Sequence, residues 1–308
     1  MSGVSLDDFL VVDGGIVRAE PRAVADARLT LKWPPRIKHL SATSIGMFRR
    51  CPEQFRHRYL LGEKERPGEA LVIGSMFHST LEHNYRQKIE SHEDLPLAEL
   101  VEFHGDVTVG AVLDEYGGID MIAWDAANPV DGVQTAHQDS ERILSAYRRK
   151  ITERIQPVAV EQKFEIPAEP VPLIGYIDTM SADERVIDTK TGKQVQKKLK
   201  PSWQLQAVLY AAATGWLAEY HSISRAARPA ICTGLESEEM IVHPDEIQAR
   251  NVLATAATVA DMIAYLYTTL GPDQPWPTWG RFADWSMTFS PCTNCGWRKV
   301  CPAWAGVA

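Results

Sequence analysis

Residues 173–190 constrain this chain more than any other stretch. They read Leu-Ile-Gly-Tyr-Ile-Asp-Thr-Met-Ser-Ala-Asp-Glu-Arg-Val-Ile-Asp-Thr-Lys. Residues 173–180 are largely apolar apart from Asp178, residues 181–184 are turn-like, and residues 185–190 form a second strand. Alternation along a strand sends Asp188 and Lys190 to one face and Thr189 to the other. With the loop at 181–185, Asp178 lies opposite Asp188 and shares its face; a one-residue slip separates them. Neighbouring carboxylates repel unless a cation sits between them, and oxygen ligands suit Mg²⁺ or Mn²⁺. A lysine two residues on can position an attacking water or steady charge developing at phosphorus. An edge hairpin with solvated charges reads the same way, because D-x-K triplets are common. Other segments have to separate these two readings.

Three segments do so. Gly-x-x-Asp at 175–178 followed by Val-Ile-Asp-Thr-Lys-Thr-Gly at 186–192 resembles the core of the PD-(D/E)XK nuclease superfamily, in particular its RecB-like branch. Upstream, Gly74-x-x-x-His78-x-x-Leu81-Glu82 resembles that branch's first motif, and the resemblance implies a metal-ligand role for His78. Imidazole beside two carboxylates is compatible with Mn²⁺ and Mg²⁺; taken alone, His78 is equally a structural histidine on a helix. Downstream, Trp203, Gln206 and Tyr210 share one face of a helix. Packing alone accounts for that face, whereas the resemblance to a Gln-x-x-x-Tyr motif implies that Gln206 works near the site and Tyr210 supports it or the strand. Thr189 stands where the family frequently has an aromatic residue; the position points away from the metal and tolerates the change. Glu161 matches a glutamate that often opens the preceding strand, as a surface residue or as support for the site.

The remaining chain is read around these motifs. Residues 1–40 carry no motif, and residues 29–33 suit a short strand. Residues 41–44 supply N-cap chemistry for a helix that Cys51-Pro52 interrupts and Phe55 and Tyr59 resume. Residues 62–69 read as a loop, 128–132 as a break, 142–155 as a helix, and 158–166 as a strand ended by prolines. Strands are expected at 230–233 and 239–243, and a long helix at 245–270. His83, His104 and His137 lack metal-ligand spacing.

Four of the five cysteines form a second pattern. Cys292-x₂-Cys295-x₅-Cys301 places two thiolates on one centre, and three thiolates require a fourth. Cys51 is the natural candidate, 241 positions before Cys292, so such a site would staple the chain ends. Spacing leaves Zn²⁺ and an iron–sulfur cluster open. The layout resembles the AddB type and the CRISPR-associated RecB-like exonucleases, which implies [4Fe–4S], with structural Zn²⁺ as the alternative. Cys232 reads as a small buried apolar residue.

The net charge of −8 excludes a uniformly basic coat for nucleic acid. Two basic stretches stand out against it, Arg49, Arg50, Arg56, His57 and Arg58 around Cys51, and Lys190, Lys193, Lys197, Lys198 and Lys200. Each is a solvated face or a phosphate-tracking surface. No apolar run of membrane-spanning length and no basic, apolar leader are evident, so a cytoplasmic protein without a membrane partner is expected.

The expectation is an α/β fold with a restriction-endonuclease-like core: a small mixed sheet flanked by helices, a helical insertion and a cluster-bound tail. Its parts are an extension at 1–40, a helical region at 41–155, the nuclease core at 156–245 and a helix with cluster segment at 246–308. The resemblance implies a metal-dependent DNA exonuclease with Lys190, Asp178, Asp188, Gln206 and Tyr210 as active-site residues. His78, Asp178, Asp188 and the Thr189 carbonyl are the implied metal ligands. DNA, as single strands or ends, is the implied partner, alongside a recombination or CRISPR-adaptation protein. The alternatives are a non-catalytic DNA-binding or docking module with the same fold, and a zinc-stapled structural protein. Oligomeric state is left open.

Overall fold

The computed structural model describes residues 9–12, 15–18, 30–278, 292 and 295–301. Strands β1 (Phe9–Val12) and β2 (Gly15–Arg18) form an antiparallel hairpin within residues 1–32, a unit of its own. The second unit begins at Trp33. Within 29–33 the described residues form no strand; Trp33 donates its indole N–H to the Ile37 carbonyl instead, 2.7 Å away.

Helix α1 (Ala42–Arg50) starts where the Ser-Ala-Thr-Ser sequence places it, with Ser41 and Ser44 capping one another reciprocally. Pro52 opens the short α2 (Pro52–Phe55), which continues as a π-helical turn, Arg56–Leu61. Helix α3 (Glu69–Ser91) takes in the segment carrying His78. Beyond it come α4 (Leu97–Phe103), α5 (Val109–Glu115) and α6 (Pro129–Lys150). Asn-Pro at 128–129, expected as a break, starts α6: the Asn128 side chain accepts from the Asp131 amide and Pro129 fills the first turn, where a missing N–H costs nothing.

The sheet is mixed, in order β3-β4-β5-β6-β7, with β8 also on β6. Strand β3 (Pro157–Ile166), β4 (Leu173–Ser181) and β5 (Arg185–Gly192) form an antiparallel meander. Helix α7 (Pro201–Thr214) crosses over to β6 (Leu217–Ser224), which lies parallel to β5. The short β7 (Ile231–Cys232) and β8 (Ile241–Val242) are antiparallel to β6. Helix α8 (Glu246–Leu270), capped by Asp245, completes the described fold. By length and composition α8 is apolar enough to cross a membrane, contrary to the expectation that no such run exists. Its Ala256, Val259, Ala260 and Ile263 are buried in the core with Ile45, Phe48 and Leu209.

One face of the sheet packs on α3 and α6, through Phe77, Leu144, Tyr147 and Ile187. The other packs on α7, through Val186, Tyr210 and Tyr220. The candidate site sits where the strands between these two layers come apart.

Candidate active site

The hairpin has the register the sequence argument requires. Thr179 pairs with Ile187 and Ser181 with Arg185, so the next step sets Asp178 across from Asp188. The ladder stops at that step: the last β4–β5 pair is Thr179–Ile187. On the other side of β4, Val160 pairs with Thr179 and Gln162 with Ile177, which leaves Glu161 opposite Asp178 without a ladder pair. Glu161 adopts φ 51°, a conformation that a non-glycine residue rarely takes within a strand. The alternation also slips here. Ile177 and Met180 pack into the same cluster, and residues three apart cannot share one face of a regular strand. Strand β4 is therefore broken at Asp178, which frees that carboxylate from the regular pattern.

The break lets Asp178 reach across layers. Its Oδ2 lies 3.3 Å from His78 Nδ1 on α3 and accepts a 3.4 Å hydrogen bond from the Thr189 backbone N–H. His78, Glu82, Tyr85, Glu161, Asp178 and Thr189 surround a space of about 10 Å³, the room of a single water-sized sphere. Thr189 borders this space too, and its backbone N–H is the donor to Asp178. Glu82 carries no separate signal in the sequence, although it closes the His78 motif; its carboxylate is held by Arg86 at 2.6 Å.

Asp188 and Lys190 form a contact pair. Lys190 Nζ lies 3.0 Å from Oδ1 and 2.8 Å from Oδ2 of Asp188, which is 1% exposed. The contact to Oδ2 is not a directed hydrogen bond, and this buried oxygen has no other partner. The ammonium also sits 5.7 Å from the centroid of the Tyr220 ring, which stacks on Trp203. Tyr220 gave no sequence signal, since its place beside Asp188 depends on the β5–β6 register. Gln206 donates to the Tyr210 hydroxyl at 2.5 Å, and Tyr210 donates to the Tyr176 carbonyl at 2.6 Å. The Gln-x-x-x-Tyr pair thus ties α7 to β4 two residues before Asp178.

The electrostatics show too much negative charge. Burial pushes the Asp188 carboxyl up to about 7; Lys190 opposes the shift, and Asp178 and Glu161 add to it. Glu161 is also pushed to about 7, first by lost hydration and then by Asp178 and Glu82. Burial alone would lower the Lys190 ammonium, but Asp188 and Asp178 outweigh it and hold its pKa raised. Three carboxylates and an imidazole with one lysine form a donor set short of a cation. Among the described residues no group of three or more His, Cys, Asp or Glu side chains is arranged to hold a metal ion. An Asp188 oxygen met only by the Lys190 ammonium, without a directed hydrogen bond, and the raised carboxyls nevertheless fit a hard divalent cation in their chemistry.

Of the four patterned cysteines, Cys51 and Cys301 are buried and Cys292 and Cys295 half-buried. The Trp297 ring stacks on His57 at 5.5 Å, and the Gly296 amide donates to the Glu65 carboxylate. The segment 295–301 therefore meets residues 57 and 65, downstream of Cys51, but among the described residues no three of the cysteines are grouped to hold a metal ion. Thr293 and Asn294 of the cysteine motif lie outside the described residues.

The decisive comparison is with protein-family models, where the model for the PD-(D/E)XK nuclease superfamily matches residues 39–302. The chain belongs to the PD-(D/E)XK nuclease superfamily. Membership supports a nuclease, implies DNA as substrate, and agrees with the mixed sheet flanked by helices. A crystal structure from Eubacterium rectale named "Putative exonuclease" resembles this fold with a TM-score of 0.50 at 12% identity, covering 77% of this chain and 84% of that one. A solved structure of SSO0001 gives a TM-score of 0.32 at 13% identity over 73% of this chain and 96% of that one, and bears no weight. No curated protein sequence matches.

Proposed function

We propose that this protein is a metal-dependent DNA exonuclease that hydrolyses phosphodiester bonds in single-stranded DNA or at DNA ends. The carboxylate cluster at the break in β4 carries this reading. Burial first, and then Asp178 beside both, raises Asp188 and Glu161 to about 7, next to a lysine already engaged with Asp188. A purely structural cluster has no reason to keep that excess of negative charge, because buried like charges disfavour one another's ionised forms. His78, Asp178, Asp188 and the Thr189 carbonyl would hold Mg²⁺ or Mn²⁺. Such an ion, when bound, polarises the scissile phosphate and eases deprotonation of water.

The protein's own groups divide the remaining work. Lys190 keeps its proton, because the neighbouring carboxylates outweigh its burial. It therefore acts as a donor: it orients the attacking water and steadies charge on the phosphoryl oxygens as the deoxyribose oxygen leaves. Tyr210, braced by Gln206, fixes the Tyr176 carbonyl and with it the approach of β4 to Asp178. Cys51, Cys292, Cys295 and Cys301 would hold [4Fe–4S], with Zn²⁺ as the other ion that four thiolates accept. That group would join the first helical segment to residues 292–301. By family analogy, the setting is recombination, repair or CRISPR-linked processing in the cytoplasm, with a partner protein from that machinery.

The test is Mn²⁺-dependent degradation of end-labelled DNA by anaerobically purified protein, beside Lys190→Ala. The expected result is stepwise label release by the wild type and none by the variant. Equal activity in both preparations overturns the assignment. Iron and sulfide content of the same preparation, compared with zinc, decides the occupant of the cysteines.

A further inference from the structure

A cavity of about 260 Å³ lies beside the site, between α1, α7 and the strands β3 and β4. Phe164, Ile174, Leu209 and Tyr210 make its wall, and Thr43 and Gln206 are among its polar groups. Gly175 allows the wall to be flat: a Cβ there would meet the Phe164 ring at 2.5 Å, so the ring closes over bare backbone. At the rim, Gln206 spends one N–H on Tyr210. Among the described residues its carbonyl oxygen and second N–H have no further partner, and neither does the Thr43 hydroxyl.

We infer that this cavity takes a single unpaired nucleobase of the substrate strand; the inference rests on the nuclease reading and specifies its substrate. An apolar slot with a free amide edge matches a heteroaromatic ring, which has apolar faces and hydrogen-bonding edges. A phosphate would lose its hydration against such a wall, with only the His39 imidazole at the rim to meet its charge. The slot and the candidate reacting centre share one strand. Three residues of β4, about 10 Å, separate Gly175 from Asp178, a span that a base and the phosphates flanking it can bridge. Tyr210 belongs to both, since its ring lines the slot and its hydroxyl holds β4. A base still paired and stacked in duplex cannot enter, so the strand has to arrive single-stranded or from a frayed end.

The experiment walks one abasic nucleotide along a single-stranded oligonucleotide and measures kcat/KM at each position. The expected result is one position, next to the scissile phosphate, where loss of the base costs about tenfold or more. A flat profile overturns the slot. Thr43→Trp places an indole at the mouth, and the ratio of intact to abasic rates at that position is expected to collapse toward unity. A ratio that persists in a folded variant puts the base elsewhere and overturns the proposal. A cleavage-independent readout uses 2-aminopurine walked along the same strand in EDTA, with its fluorescence quenched at one position in the wild type and restored in Thr43→Trp. Position-specific quenching in EDTA together with no cleavage in Mn²⁺ sinks the nuclease reading and keeps the slot; cleavage in Mn²⁺ with a flat abasic profile does the reverse. Should Thr43→Trp fail to fold, the two wild-type series decide the matter.

Discussion

Two buried acidic clusters lie on neighbouring strands of one sheet, and they are treated in opposite ways. On β6, Glu219 is met from every side. His221 Nε2 lies 3.0 Å from Oε1, the Gly234 amide donates to Oε1 at 2.8 Å, and Arg185 donates to Oε2 at 2.5 Å. Burial would raise its carboxyl, but His221 and Arg185 prevail and hold it at about 2. His221 is in turn fixed by the Tyr147 hydroxyl at 2.6 Å from its Nδ1. On β5, Asp188 is as deeply buried but has one lysine and two neighbouring carboxylates, and its carboxyl rises to about 7. The first cluster is complete within the protein. The second keeps an excess of carboxylates, which on the proposed reading a divalent cation would balance, and so the candidate chemistry is placed on β4 and β5 rather than on β6.

The largest expected effect breaks the comparison through activity. Asp188→Ala should lower kcat/KM for DNA cleavage by about a thousandfold or more, measured in single-turnover assays with Mn²⁺.

Stability should then separate the clusters by sign. Glu219→Ala leaves the Arg185 and His221 side chains without their buried partner and should cost about 3–5 kcal/mol in urea unfolding. Asp188→Asn relieves an unfavourable charge and should stabilise the EDTA-treated protein. A loss of stability in that variant would mean that Asp188 is already satisfied without added cation.

A smaller effect follows from adding the cation. Mn²⁺ at a hundredfold excess over its Kd should stabilise the wild type by about 2.7 kcal/mol, read as a rise in melting temperature. Asp178→Asn should lose most of that gain, and Glu219→Gln should keep it.

The smallest effect is in pH dependence. The folded Glu161 carboxyl titrates near 7 against 4.5 for the free group, so the folded state binds the extra proton between those values. Its contribution to cation-free stability is full below 4.5 and is lost as pH rises through 7. Glu219 runs the other way: its contribution is full above 4.5 and is lost as pH falls toward 2. Glu161→Gln should make the neutral limb of a stability–pH profile in EDTA shallower, leaving the part that Asp188 contributes, and leave the acid limb unchanged.

Much of this molecule is legible one residue at a time. The hairpin register follows from alternation and turn chemistry, and the structure has it at Ser181–Arg185. The Ser41 cap, the Asp245 cap and the crossover helix after the D-x-K strand are also local matters. The departures are local too. Asn128-Pro129 reads as a break because the same residues that end one element begin another, and only the residues downstream tell which. Strict alternation turns Thr189 away from the site, yet Thr189 borders the space beside Asp178 and its backbone N–H is the donor there.

By itself, the sequence determined which chemistry the chain can hold: two acids and a lysine on a hairpin, a histidine on a helix, four cysteines in two segments and the order in which they come. Those are properties of residue type and short-range spacing, and backbone geometry fixes them within a few residues. Only the tertiary structure decided which of the buried acids are already neutralised. Glu219 and Asp188 sit on adjacent strands with equal burial, and what separates them is that Arg185 and His221 face one, while Asp178 and Glu161 crowd the other. Coulomb interactions depend on distance in space, and the break at Asp178 that sets those distances arises from pairing between strands, a relation that no single stretch of the sequence contains.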